Sequence, residues 1–214
     1  AIVIYRKMGW DKMINEIFSL FDKYEKRYNF SGVALIKQGS ATIFEYAAGL
    51  AHKGFGIKNE MTSSFDTASI TKLFTAAGVV LLNNSGALNF HDKIHDIVDL
   101  KDTKIPLDVE SHHLLTHTSG IADDADEENG EDYAALFQDS PNYAIRENID
   151  FLPNFAYKEA NFKAGSNVRY NNCAFILLGL VIEKITGLSY RQFIAENIFK
   201  PFGMNNTFFS AKDD

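Results

Sequence analysis

The sequence predicts an α+β fold in which an antiparallel sheet flanked by helices precedes a mostly helical region. A helical pattern over residues 11–28 is followed by β-rich runs at 32–37 and 42–48, and the later patterns are helical. Because strands and helices are segregated along the chain instead of alternating, the pattern argues against a parallel βαβ sheet. The sheet itself is expected to be incomplete in this chain.

The N-terminal elements rest on local sequence signals. Apolar residues recur at steps of three and four from Met13 to Tyr24, with Asp11 as a cap, which is typical of an amphipathic helix. Gln38-Gly39-Ser40 separates the two β-rich runs, as in a hairpin. Because two strands alone are marginally stable, we expect further strands beyond Asp214 or from another chain.

The helical region is predicted from apolar periodicity between loops rich in Asp, Asn and Gly. Its first helix covers Ser69–Asn83, stops at Gly86, and is expected to bury Leu73, Ala76, Ala77, Val80 and Leu81. Further helices are predicted at 112–116, 132–138, 142–148, 172–186 and 190–198.

The sequence predicts that the chain divides into three segments. Residues 1–10 are expected to be a leader, either disordered or introduced for expression. Residues 11–68 carry the N-terminal helix and strands, and 69–214 form the mostly helical region with the chemical motifs.

Composition and charge exclude several classes of protein. With 214 residues, 46% hydrophobic residues and 23% charged residues, the chain is globular and not disordered. A net charge of −7 argues against a nucleic-acid-binding protein, and one cysteine excludes an intrachain disulfide and a cysteine-based zinc site. The longest apolar runs are shorter than the roughly 20 residues that span a bilayer, so no membrane span is expected.

Ser69-Ile70-Thr71-Lys72 is the first candidate for chemistry. Ser69 lies at a predicted helix N-terminus, where N–H groups favour negative charge, and Lys72 follows one turn later on the same face. A serine hydroxyl needs a neighbouring base to become a nucleophile, and a partly desolvated lysine can be that base. Since about one such tetrapeptide is expected by chance, an N-cap serine with a surface lysine is the structural alternative.

Tyr170-Asn171-Asn172 is the second candidate, because it immediately precedes a strongly apolar helix. The phenol of Tyr170 could share proton transfer with Lys72, and the side chain of Asn172 could hydrogen-bond a substrate amide. The alternative is a core tyrosine whose hydroxyl caps a loop.

Several ordered stretches resemble the serine β-lactamase and penicillin-binding-protein superfamily, in its class C β-lactamase, DD-carboxypeptidase and esterase branch. The resemblance extends over about 30–210. The similar stretches are 65–72, 114–120, 162–172, 177–179, 182–187 and 201–207.

The resemblance implies a β-lactamase/transpeptidase-like fold and a serine hydrolase without metal or cofactor. Ser69 would be acylated by the carbonyl of a β-lactam, a D-Ala-D-Ala peptide or a small ester. Lys72 and Tyr170 would be the acid/base pair, and Asn172 would contact a substrate amide. An extracytoplasmic location, periplasmic or secreted, is also implied.

One element of the family pattern is absent from these 214 residues. The superfamily carries Lys or His, then Thr or Ser, then Gly on a late strand, which supplies half of the oxyanion hole. The alternatives to a hydrolase are therefore a penicillin-binding or sensor module, or a fragment without turnover. Such a piece could self-associate or pair with a missing C-terminal segment.

Other clusters of polar residues receive structural interpretations. His113 with His117, and His91 with His95, are four apart, but neither pair has an evident third ligand, so no metal site is expected. The acidic run from Asp123 to Asp132 is interpreted as a solvated loop.

Overall fold

The computed structural model describes residues 2–125, 130 and 145–210, and of residues 2–11 only the backbone. The chain divides into two compact units, residues 1–66 and 67–214. The helix predicted at 132–138 lies outside the described residues, as does most of that predicted at 142–148. The described end of the latter, 145–147, is not helical.

The first unit begins with helix α1, Ile2–Tyr28. The sequence predicted this helix from about residue 11, with residues 1–10 as a leader. The helix extends further towards the N-terminus because residues 2–10 contain no proline, and a single glycine costs a helix only about 1 kcal/mol.

Two strands follow as the predicted hairpin: β1, Gly32–Gln38, and β2, Ala41–Ala48. They pair antiparallel, from Gly32 opposite Ala48 to Gln38 opposite Ala41. Gly39 in the turn has a φ of 59°, a left-handed conformation that glycine adopts without strain. A second pair, β3 (Leu50–His52) and β4 (Ile57–Lys58), makes another small sheet.

The apolar side of α1 packs on the hairpin through aromatic rings. Phe21 lies 5.6 Å from Phe44 and 5.2 Å from Tyr46, measured between ring centroids. The Tyr46 hydroxyl donates a hydrogen bond to the Glu25 carboxylate, which raises the pKa of Tyr46 to about 12. Within the described residues the sheets have only two strands each, so the expectation of an incomplete sheet is confirmed.

The second unit is helical in its described part. A 3₁₀ turn, Ala68–Ile70, leads into the α-helix α2, Thr71–Asn84. The later elements are α3 (Ile94–Ile97), α4 (Ser111–Leu115), a 3₁₀ segment (Asn148–Asn154), α5 (Cys173–Thr186), α6 (Tyr190–Ile194) and a π-helical turn (Ala195–Phe199). The predicted helices at 69–83, 112–116, 172–186 and 190–198 are thus confirmed within one or two residues.

Helix α5 forms the centre of this unit's core. Its buried residues include Leu177, Leu178, Val181 and Ile182, none of which is exposed. Within the described segments no single helix is long and apolar enough to cross a bilayer. Among the helices that the structure describes, one pair, Cys173–Thr186 with Tyr190–Phe199, reaches that length and composition together, and the two are bent by 81°.

The predicted buried face of α2 is wrong. Leu73 is 68% exposed, and Val80 and Leu81 are each 42% exposed, whereas Thr75, Gly78, Val79 and Leu82 are buried. The reason is Gly78: a Cβ atom there would lie 3.1 Å from the Phe193 ring and 3.2 Å from Ile182. The α5–α6 pair therefore approaches α2 on its glycine side, where the backbones can come closest.

Candidate active site

The start of α2 positions Ser69 and Lys72. Ala68 has a φ of 44°, a left-handed conformation that is rare for residues other than glycine. Ala68 begins the 3₁₀ turn that leads directly into α2, and the Lys72 Nζ lies 3.3 Å from the Ser69 Oγ. Backbone strain of this kind persists where surrounding structure holds it, often beside a functional group.

The loop before α5 brings Tyr170 to the same point. The Tyr170 hydroxyl lies 2.7 Å from the Ser69 Oγ. The Lys72 Nζ donates a 2.6 Å hydrogen bond to the Asn172 Oδ1 and lies 4.8 Å from the centre of the Tyr170 ring. Four side chains named from the sequence therefore meet in one site, although more than 95 residues separate the two motifs.

Asn172 makes a contact within the site that its residue type alone did not predict. Its Oδ1 accepts a hydrogen bond from the Lys72 Nζ, and its expected contact with a substrate amide stays a prediction. This contact holds the lysine tip beside Ser69. Because the lysine tip carries at least two N–H donors in either protonation state, it can bond Asn172 and Ser69 at the same time.

A carboxylate that the sequence analysis missed anchors this loop. The two Asp123 oxygens accept hydrogen bonds from the backbone N–H groups of Asn172 at 2.9 Å and Cys173 at 3.1 Å. Helix N-termini leave such N–H groups without intrahelical partners and attract negative charge. Asp123 thereby fixes the N-terminus of α5, and with it the positions of Tyr170 and Asn172.

Asn171 strengthens the same junction from the other side of the loop. Its buried side chain accepts a 2.7 Å hydrogen bond from the N–H of Ala174 and donates a 3.0 Å bond to the carbonyl of Ile121. Interpreting the acidic run as a solvated loop was therefore wrong at its first two positions. Asp123 caps α5, and Asp124 is only 7% exposed, while much of the run lies outside the described residues.

His117 packs behind Tyr170 and has a structural role, as expected. Its ring lies 4.6 Å from the Tyr170 ring between centroids, and its Nδ1 accepts a hydrogen bond from the N–H of Asn171. Burial, and then the charge of Lys72, lower the pKa of His117 below its usual value. A neutral ring is what this contact requires, because a protonated Nδ1 could not accept the hydrogen bond.

These side chains open into a cavity of about 580 Å³ within the second unit. That volume is suited to a small ligand. Its lining combines the polar side chains of the site with apolar surface from Phe151, Phe175 and Ile176. Asp124 also lines the cavity, and burial raises the pKa of its carboxyl group.

Cys173 takes no part in the chemistry of this site. Its side chain is fully buried, and burial raises the pKa of its thiol far above the ordinary value. Since the thiolate is the reactive form of cysteine, this residue is an inert part of the core.

Sequence signals could have identified some of the missed residues. Asp123 lies just after Ser119-Gly120 at the start of an acidic run, and nothing local distinguishes it from its neighbours. Its partner N–H groups are 49 and 50 residues away, a pairing that only the folded chain reveals. Asn171 lies between Tyr170 and Asn172, which the sequence already identified as candidates, so its position in that motif was a usable signal.

Comparison with known proteins identifies the family of this chain. The family model described as Beta-lactamase matches residues 17–214. "Penicillin-binding protein 4*" of Bacillus subtilis is 32% identical over 197 residues, covering 88% of this chain and 40% of that protein. The crystal structure of a penicillin-binding protein from Bacillus halodurans superposes with a TM-score of 0.84 at 37% identity, covering 90% of this chain and 58% of that chain.

A less similar relative also matches most of this chain but only part of its own length. "Penicillin-binding protein 4" of Amycolatopsis lactamdurans is 27% identical over 192 residues, covering 87% of this chain and 47% of that protein. The chain thus spans about half the length of the relatives it matches. With a family match over nearly its whole length, this chain belongs to the Beta-lactamase family.

Proposed function

We propose that this chain carries the nucleophilic centre of a serine hydrolase that cleaves amide or ester bonds through an acyl-enzyme on Ser69. One observation carries the proposal: the Ser69 Oγ lies 2.7 Å from the Tyr170 hydroxyl and 3.3 Å from the Lys72 amine. Two groups able to hold or release a proton are therefore within reach of one nucleophile.

The proposed reaction has two stages, acylation of Ser69 and hydrolysis of the acyl-enzyme. Ser69 attacks the substrate carbonyl while its proton passes to a neutral Lys72 amine or to an ionised Tyr170. The same proton is delivered to the leaving nitrogen or oxygen as the scissile bond breaks, which leaves the acyl group on Ser69. Water then attacks the acyl carbon while its proton passes to the base. The bond from that carbon to the Ser69 Oγ breaks and the base returns the proton to Oγ, which releases the acid and regenerates Ser69.

The proposed substrates are β-lactams, D-Ala-D-Ala peptides or small esters. The similar proteins from Bacillus subtilis and Bacillus halodurans are named for penicillin binding, which favours an acylating β-lactam as the first compound to test. The apolar surface of Phe151, Phe175 and Ile176 suits an uncharged side group beside the reacting carbonyl. An extracytoplasmic location is proposed on the family resemblance alone.

A second candidate is a penicillin-binding or sensor module that is acylated without turnover. It applies to these 214 residues taken alone, which contain no Lys/His-Thr/Ser-Gly sequence. In the superfamily that strand supplies one N–H of the oxyanion hole, and losing one such donor costs about 2.7–4 kcal/mol in the transition state. Self-association is a related possibility, since a homologue from Pyrococcus abyssi, 27% identical with a TM-score of 0.72, is described as octameric.

A fluorescent penicillin separates the two candidates. The chain is incubated with the probe, and bound label and free hydrolysed product are followed together over time. Continued release of product after labelling of the protein supports a hydrolase. Rapid labelling of the protein by about one equivalent of probe, with no further release of hydrolysed product, supports the binding module.

The same assay can overturn both candidates. A D-Ala-D-Ala peptide and a p-nitrophenyl ester are run in parallel to identify the preferred bond. If no acylated protein and no product forms from any of the three compounds, with this chain or with a longer form that carries the Lys/His-Thr/Ser-Gly sequence, the acyl-enzyme proposal is wrong.

A further inference from the structure

Two histidines and a glutamate converge on the surface of the second unit, in a combination that the sequence spacing did not reveal. The Glu110 Oε2 lies 2.9 Å from the His91 Nδ1 and 3.2 Å from the His112 Nδ1. All three potential ligand atoms lie within 4.8 Å of one another. The spacing in the sequence pairs His91 with His95 instead and predicts no metal site.

These distances match the requirements of a four-coordinate divalent metal. Zinc binds histidine nitrogen and carboxylate oxygen at about 2.0–2.2 Å, so ligand atoms around a tetrahedral ion stand roughly 3.3 Å apart. The two measured separations from the Glu110 oxygen are close to that spacing. Two imidazoles and one carboxylate also form a donor set that zinc uses in proteins, with a further position for water.

Backbone hydrogen bonds hold the two segments of the cluster in register. The N–H of His112 donates to the carbonyl of Phe90 at 2.9 Å, and the N–H of Ser111 donates to the carbonyl of Asp92 at 3.1 Å. Lys93 and Glu110 form an isolated antiparallel bridge next to them. The backbone around each ligand is therefore fixed before any ion binds, which lowers the entropic cost of binding.

The interior beneath the cluster supports the same arrangement. Ile94, Val109 and Leu114, which flank the ligand-bearing segments, are fully buried. The ligands themselves remain accessible: the His91 side chain is 75% exposed, that of His112 36% and that of Glu110 26%. An ion can therefore reach the cluster from solvent without opening the core.

A second group of potential ligands within the described residues is not a comparable candidate. Asp123, Asp124 and Cys173 also lie within 4.8 Å of one another. The Asp123 oxygens, however, accept backbone N–H groups at the start of α5, and burial keeps the Cys173 thiol protonated. A metal would have to displace these contacts, which hold the active-site loop.

We propose that His91, Glu110 and His112 form a zinc-binding site that joins the segment before α3 to the N-terminus of α4. The ion would crosslink two segments separated by about 20 residues of chain and would stabilise the folded state by binding to it preferentially. This inference is independent of the proposed hydrolase activity.

Isothermal titration calorimetry with zinc chloride tests the proposal on tag-free protein in a non-chelating buffer. The expected result is one zinc ion per chain, together with a higher melting temperature in zinc. His91→Ala and Glu110→Gln should each weaken binding by at least about tenfold, because even partners that only orient a metal ligand contribute about 10- to 100-fold.

Two comparisons keep the result interpretable. His52→Ala, which removes an exposed histidine of the other unit, should bind zinc like the unaltered chain. His91 is the preferred ligand to alter because its side chain is largely exposed, and the melting temperature without zinc shows whether each variant folds. Absence of zinc binding, or equal affinity in H91A and the unaltered chain, would overturn the site.

Discussion

Replacing Lys72 with methionine is expected to slow acylation of Ser69 by about 10²- to 10⁴-fold, the usual contribution of a positioned proton acceptor. Methionine keeps a similar length and apolar stem but cannot accept a proton. The Lys72 Nζ is 3.3 Å from the Ser69 Oγ and also bonds Asn172, so the substitution removes both contacts. The measurement is the second-order rate constant for labelling by a fluorescent penicillin.

Two further variants identify the cause of the effect. Lys163→Met removes an exposed lysine from the loop that leads to Tyr170 and should leave the labelling rate unchanged. Lys72→Arg keeps the positive charge but supplies no proton acceptor, so it should be nearly as slow as Lys72→Met. Labelling of a folded Lys72→Met variant at the original rate would contradict the role of Lys72 as a base.

Gly120→Ala is expected to lower the stability more than alanine at any other described glycine of the second unit. Gly120 has a φ of 69°, and a Cβ atom there would lie 2.0 Å from the carbonyl oxygen of Phe162. Because the obstacle is backbone, no side-chain rotation relieves it. We expect the free energy of unfolding to fall by about 3 kcal/mol or more, measured by urea denaturation followed by circular dichroism.

Gly86→Ala is the matched control for that substitution. Gly86 has a similar φ of 76°, but no atom lies within 4 Å of its added Cβ. Only the left-handed conformation is then penalised, at about 1–2 kcal/mol. If both variants lose the same stability, the close approach between Gly120 and Phe162 is not what limits that position.

The sequence predicted the parts of this fold that depend on local signals. The hairpin between Gly32 and Ala48, the stop after Asn84 and the bounds of α5 all follow from turn residues and apolar periodicity. The four candidate site residues were found because they belong to two compact motifs. In these cases the spacing of residues close together in the chain was enough to predict the element or the site residue.

Features that depend on tertiary contacts were not predictable in the same way. Helix α2 is apolar around much of its surface, so periodicity could not indicate that Gly78, and not Leu73, faces α5 and α6. The cap that Asp123 provides and the meeting of His91 with His112 join segments far apart in the chain. Such pairs are fixed by folding and leave no local pattern.

Peptide mapping by mass spectrometry after reaction with a β-lactam tests the central claim most directly. The account predicts one penicilloyl group per chain, located on the peptide that contains Ser69, and no modification of the Ser69→Ala variant. An adduct on a different side chain, or an undiminished adduct in Ser69→Ala, would contradict the assignment of Ser69 as the nucleophile.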